Sequence, residues 1–376
     1  MPSISVNRIK KERPEGAILL GAFQKQGGRG ALRKGGHTGI WDLMDELGNL
    51  AESAGAQILY RDVAPIRHFD PATLIGRGKA DEIHSLIHEH NADIVIFYNL
   101  LKPGQQKNLE EHLGVKVIDR KELILDIFAK RAKSSEGKLQ VELAQLKYRL
   151  TRITGKGHEL SRTGGGIGTR GPGEKKLEID RRRIRNRISH IRKDLIKVGK
   201  TRGLHASARK RRGISMISFV GYTNVGKSSI FNMITGSNTL MIDRMFSTLD
   251  PLTRSVKDRP GGKKCVVVDT VGFIRDLPPE LIEAFKATLQ GIKEADLLIH
   301  VIDLASPFYI ENRDVVENIL REIGAGEKSV ITVYNKIDLV GGGDELARVK
   351  EPGTVYMSAK TGFGYPELQE EIFRHI

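Results

Sequence analysis

Residues 221–228 read Gly221-Tyr222-Thr223-Asn224-Val225-Gly226-Lys227-Ser228, a G-x-x-x-x-G-K-S run, with Ser229 directly after it. The run sits between an apolar stretch at 214–220 and a helical pattern at 229–234, the strand, loop and helix setting in which such a sequence wraps a phosphate chain. Gly221 and Gly226 let the backbone curl until its N–H groups face the anion. Lys227 brings a positive charge and Ser228 a hydroxyl suited to Mg²⁺, while the start of the helix adds its own partial positive charge. Asn224, Val225 and Ser229 complete the expected phosphate-binding set. The run by itself says only "nucleotide".

Two later motifs narrow it. Asp269-Thr270-Val271-Gly272 closes the apolar run 265–268, so Asp269 is expected at the carboxyl end of a strand, within reach of the Mg²⁺ shell. In Asn335-Lys336-Ile337-Asp338 the last carboxylate is a pure acceptor for the two adjacent donors of guanine, an edge adenine lacks. Asn335 and Lys336 are expected to brace that loop and flank the base. Ser358-Ala359-Lys360, after a strand pattern at 354–357, resembles the last element of a GTPase base site, which implies a backbone N–H for the guanine oxygen. Together the motifs specify a GTP-binding domain of the α/β class with GTP as substrate.

Phe246-Ser247-Thr248-Leu249-Asp250-Pro251 occupies the place of a first switch, and Thr248 is favoured over Thr253 as the hydroxyl that holds Mg²⁺ while the terminal phosphate is present. Mg²⁺ is thus expected on Ser228, Thr248 and Asp269, and the catalytic set is Lys227, Thr248 and Gly272. Many GTPases follow that glycine with a glutamine that orients the attacking water; here the position holds Phe273, which cannot hydrogen-bond to water. Unaided turnover is therefore expected to be slow, with catalysis electrostatic and positional. Asn224 adds a further expectation, K⁺ as a built-in second cation.

Three domains are expected in the 376 residues: a small parallel α/β domain over 1–119, a basic helical hairpin over 120–212, and the GTP-binding domain over 213–376. Strand patterns at 17–22, 58–63, 93–98 and 115–118 alternate with helical patterns at 40–54, 79–90 and 103–113. From Arg120 one long helix is expected, with Leu139, Leu143, Leu146, Leu150 and Ile153 as its apolar seam. Ile184, Ile188, Ile191, Leu195 and Val198 make a second seam, so the two stripes read as an antiparallel hairpin.

The formal charge of +15 is concentrated: residues 175–212 hold 16 Lys and Arg against 3 Asp and Glu, or +13 of the total. Such a block commonly neutralises nucleic-acid phosphates. The connection 154–174, TGKGHELSRTGGGIGTRGPGE, is too glycine-rich for a core and longer than two paired helices need. Its glycines allow close backbone approach and its basic side chains pair with phosphates or stack on bases, which suits a crevice in RNA. Arg162, Gly164, Gly165, Gly166, Arg170, Lys175, Lys176, Arg181, Arg182 and Arg183 are the expected RNA-contacting residues. No apolar run is long enough to cross a bilayer, the first residues lack a signal-peptide core, and Cys265 is the single cysteine. A cytoplasmic monomer that binds neither DNA nor membrane is expected.

Gly164 to Gly173 (GGGIGTRGPG), Glu174, Leu177, Glu178 and Asp180-Arg181-Arg182-Arg183, together with Ile75-Gly76-Arg77-Gly78-Lys79, Phe246 to Pro251 and Asp269 to Phe273, resemble the signatures of HflX-type translation GTPases over nearly the whole chain. The resemblance implies binding to the large ribosomal subunit and its rRNA, with the hairpin loop reaching toward the peptidyl-transferase region, and the splitting of stalled ribosomes under stress. Lys175-Lys176 replace the Thr-Gln usual in the family. Contacts of the carboxy-terminal domain that some members carry beyond the last GTPase element are not transferred to a chain ending at Ile376. Ribosome assembly, RNA maturation, or a GTP sensor with little turnover are the alternatives left open.

Overall fold

The computed structural model describes residues 13–24, 36–160, 172–237, 245–246, 251–257, 264–275, 281, 286–341 and 352–376. It divides into two compact units, Met1–Ile124 and Leu125–Ile376.

In the first unit β1 (Gly16–Gln24), α1 (Gly36–Ala54), β2 (Gln57–Ile66), α2 (Arg77–His90), β3 (Ile94–Phe97), α3 (Pro103–Leu113) and β4 (Lys116–Asp119) follow one another. The strands are all parallel, in the order β2-β1-β3-β4. Inner strands covered on both faces need continuous apolar runs, and β1 and β3 supply them. Ile18, Leu20, Val95 and Phe97 share one core with Ile83, Ile87, Leu109 and Leu113. Pro103 opens α3 without a missed hydrogen bond, and Gly114 closes it at φ 71°, a left-handed position that glycine adopts freely. In the stretch 75–79 the Lys79 ammonium pairs with Asp62 on β2 (2.6 Å) and with Glu82 (2.8 Å), tying the first turn of α2 to the sheet.

The long helix expected from Arg120 is two helices, α4 (Arg120–Arg131) and α5 (Ser135–Leu160). Ser134 causes the break: its hydroxyl accepts the Gly137 N–H at 2.9 Å and so caps a fresh helix start. The connection is also shorter than expected, because the backbone stays helical through Leu160 and resumes with α6 (Pro172–Arg211). Isolated glycines such as Gly157 weaken a helix by only about 1 kcal/mol each, and proline is at home in a first turn. Residues 161–171 lie outside the described residues, among them Arg162, Gly164, Gly165, Gly166 and Arg170.

α5 and α6 run antiparallel, as three contacts along their length show. Arg202 meets Glu136 at 2.6 Å, Arg187 meets Glu142 at 2.7 Å, and an Arg181 N–H reaches the Ile153 carbonyl at 3.1 Å. Leu143, Ile188 and Ile191 are buried in the seam, and Leu146, Leu150, Ile184, Leu195 and Val198 are partly buried. Gln140, Val141, Ala144 and Tyr148 are buried as well, so α5 is covered beyond the single stripe read from its heptads.

The nucleotide-binding fold comprises β5 (Ser215–Gly221), α7 (Lys227–Thr235), β6 (Leu252–Lys257), β7 (Lys264–Asp269), α8 (Lys286–Glu294), β8 (Leu297–Asp303), α9 (Tyr309–Glu322), β9 (Ser329–Asn335), β10 (Thr354–Tyr356) and α10 (Tyr365–His375). Strand order is β10-β9-β8-β5-β7-β6; β6 alone is antiparallel. In this order β7 and β6 lie beyond one edge of β5 and β8, β9 and β10 beyond the other, so the strand order reverses at β5, and the crevice at its carboxyl end is where a doubly wound sheet holds its ligand. Burial pushes the Cys265 thiol on β7 up to about 11.

Candidate nucleotide site

The loop after β5 is shaped by three positive-φ residues: Gly221 (151°), Asn224 (61°) and Gly226 (95°). The glycines are needed for space as much as for torsion. A Cβ on Gly221 would strike the Val301 carbonyl, and one on Gly226 would strike the side-chain amide of Asn335. Asn224 is exposed at the turn, Val225 is buried beneath it, and Ser229 lies partly buried in the first turn of α7.

Lys227 is buried, its ammonium donating to the Gly221 carbonyl at 3.1 Å and to that of Tyr222. Burial draws it down to about 8, while the neighbouring Asp269 carboxylate pulls the other way. Asp269 ends β7 fully buried and accepts a hydrogen bond from Ser228 Oγ at 2.7 Å. A buried carboxylate beside a hydroxyl is a hard-oxygen donor pair, the chemistry Mg²⁺ prefers while keeping waters and phosphate oxygens in its shell. The two side chains therefore fit that ion, which when bound would neutralise charge on the phosphates.

Asn335, at the end of β9, joins three loops. Its Nδ2 donates to the Val225 carbonyl at 2.8 Å, and its Oδ1 accepts the Ala359 N–H at 2.9 Å. Lys336, held at φ 66°, pairs with Asp303 at 2.7 Å. Asp338 sits exposed in the short 3-10 turn Ile337–Leu339, its carboxylate available to a base edge. Ser358 is buried, and its hydroxyl accepts from the N–H groups of Lys360 (3.3 Å) and Thr361 (3.2 Å).

Phe273 is buried. Its N–H donates to the Gly221 carbonyl at 3.1 Å and its carbonyl accepts the Thr223 N–H at 2.8 Å, stapling the segment after Gly272 to the phosphate loop. A Cβ on Gly272 would lie 2.9 Å from Thr223 Cα and 3.1 Å from Lys227 Nζ, so glycine is required for that approach. Of the first-switch stretch, Phe246 and Pro251 are described, and Phe246 is buried at φ 56°, its ring centroid 4.5 Å from that of Phe128 on α4. Thr248 lies outside the described residues. On α6, Lys175 and Lys176 are in helical backbone, Arg181 is partly buried against Ile153, and Arg182 and Arg183 are exposed.

Three family models match in sequence order: GTP-binding GTPase N-terminal over residues 42–129, GTP-binding GTPase Middle Region over 131–209, and 50S ribosome-binding GTPase over 216–336. The GTPase HflX of Caldanaerobacter subterraneus subsp. tengcongensis is 49% identical over 89% of this chain and 77% of its own length, and that of Lacrimispora saccharolytica 46% over 86% and 77%. This chain belongs to the HflX GTPase family. It is an enzyme whose substrate is GTP, built on a P-loop domain of the 50S ribosome-binding class. A crystal structure of a GTP-binding protein from the archaeon Sulfolobus solfataricus in complex with GDP superposes at a TM-score of 0.52, with 26% identity, covering 96% of this chain and 98% of that one.

Two residues of this HflX-family site are not specified by its motifs. Tyr222 accepts the Arg275 N–H on its hydroxyl at 2.9 Å, fastening the second switch from the phosphate-loop side. Asp303 neutralises Lys336 from the neighbouring strand. Its position at the end of the apolar run 297–302 could have marked it, as the same placement marks Asp269.

Proposed function

We propose that this GTPase is a nucleotide-controlled switch that binds the large ribosomal subunit through rRNA and splits or recycles stalled ribosomes in the cytoplasm, under stress. The observation that carries this reading is the basic helix α6, which belongs to the same compact unit as the nucleotide fold and exposes Arg182, Arg183 and Arg185 along one arm of the hairpin. Phosphate neutralisation by such a surface supplies sequence-independent affinity for RNA. The adjoining loop residues Arg162, Gly164, Gly165, Gly166 and Arg170, with Lys175 and Lys176, would meet the RNA at the tip. Mg²⁺ would be held by Ser228, Asp269 and Thr248, and K⁺ by Asn224, in a molecule acting as a monomer.

The Phe128–Phe246 contact supports coupling, since it sets the first switch directly against the helix that leads into the hairpin. For GTP to drive tight binding it must favour the bound state energetically, because a ligand indifferent to two states shifts neither. Affinity for purified large subunits is therefore expected to be at least about tenfold greater with a non-hydrolysable GTP analogue than with GDP; equal affinities would remove the switch. Burial of Phe273 favours a second reading, a GTP sensor with little turnover. Hydrolysis measured in potassium buffer with saturating large subunits separates the two, since strong stimulation excludes the sensor.

A further inference from the structure

We propose that the Thr223 hydroxyl positions the attacking water for GTP hydrolysis, the task that Phe273 leaves vacant. Thr223 is buried, and among the described residues its enclosed Oγ1 has no hydrogen-bond partner. Buried hydroxyls are nearly always paired, so one left unpaired beside a substrate site points to a partner that arrives with the substrate.

The surroundings say which part of the substrate that is. The Thr223 N–H donates to the Phe273 carbonyl at 2.8 Å, which fixes the residue over the Asp269–Gly272 segment. A Cβ placed on Gly272 would lie 2.9 Å from Thr223 Cα, 2.9 Å from its Cγ2 and 3.1 Å from Lys227 Nζ. Thr223, Gly272 and Lys227 thus converge on one point, and the phosphate-loop lysine marks that point as the terminal-phosphate end of the nucleotide. The Thr223 methyl is turned to Gly272, which leaves the hydroxyl as the free branch of the side chain. Phe273, the neighbour from which water orientation would ordinarily come, is buried with both its backbone groups engaged.

A hydroxyl can accept a hydrogen bond from water while donating one to a phosphate oxygen. In the step so positioned, the water oxygen bonds to the γ-phosphorus as the bond from that phosphorus to the bridging oxygen breaks. The electron pair of the broken bond leaves with GDP, and the water proton ends on the released phosphate. Thr223 keeps its own proton, so it is a positioning residue.

The test uses the full chain without ribosomes, so its outcome is independent of the ribosomal reading. Single-turnover hydrolysis and GDP affinity are measured for Thr223→Val, Thr223→Ala and Thr223→Ser. Thr223→Val, nearly isosteric, is expected to slow hydrolysis about tenfold while GDP affinity stays within about twofold, and Thr223→Ser to restore the rate to within about threefold of the parent. A parental rate in Thr223→Val overturns the proposal. So does a Thr223→Ser as slow as Thr223→Val, which would assign the effect to methyl packing on Gly272. Should Thr223→Val lose GDP binding through misfolding, the Ala and Ser variants decide: Ala slow with Ser rescued supports the role, and Ala at the parental rate removes it.

Discussion

The nucleotide corner and the helical hairpin are held by opposite means. Around the phosphate loop the polar groups are buried and interlocked: Lys227, Asp269, Asn335 and Ser358 are each buried and hydrogen-bonded to a neighbouring segment or turn. Along the hairpin an apolar seam does the holding, and ion pairs such as Arg187 with Glu142 lie in solvent. Buried networks are costly to leave half-made and so define a geometry, whereas exposed pairs contribute little and are screened by salt. The first suits chemistry that depends on tenths of an ångström. The second leaves charge exposed to solvent.

Asn335→Ala should show the contrast at full size. It strands the Val225 carbonyl and the Ala359 N–H together, and at roughly 1–3 kcal/mol for each unpaired buried group, GDP affinity is expected to fall about thirtyfold or more. Arg187→Ala, an edit of similar size on the hairpin, is expected to leave the urea midpoint of unfolding unchanged. A shifted midpoint there would mean the exposed pairs carry stability and would break the comparison.

The pH dependence of stability tests the buried side next. Lys227 has its pKa at about 8 in the folded chain against 10.5 in its ordinary state, so between these values the unfolded chain binds the additional proton. Stability of the nucleotide-free protein should therefore rise with pH through that window, by up to about 3 kcal/mol, and Lys227→Met should remove the rise. Urea midpoints at closely spaced pH values would show it; a curve identical in the variant would assign the effect elsewhere.

The smallest expected effect lies on the exposed face of α6. Arg182→Ala should weaken binding to large subunits similarly across RNA sequences and reduce the slope of log affinity against log salt by about 1. An unchanged slope would take Arg182 out of the phosphate contact.

What could be read from the sequence follows the same division. A phosphate loop needs glycine where a Cβ would collide, as Gly221 and Gly226 show, so its motif is written in residue types at fixed spacing. The hairpin seams are written in period, and Ile188 and Ile191 are buried where the period puts them. The helix start at Ser135 had a local signal in the capping Ser134, and that at Pro172 in the proline itself, yet a continuous apolar pattern outweighed the first and a run of glycines the second. Contacts that join distant segments left no such trace. Nothing in Phe246 names Phe128 as its neighbour, and nothing in Tyr222 names the Arg275 N–H. These depend on how strands and loops are stacked, a property of the folded chain.

Cys265 has a practical consequence. It is the only thiol in the chain, it is buried on β7, and burial holds it protonated well beyond neutral pH. Thiol-directed reagents attack thiolates that they can reach. The parent protein should therefore stay dark toward a maleimide dye at pH 7, and a cysteine introduced at an exposed place such as Arg182 would be a single addressable label on the hairpin, with no background to subtract.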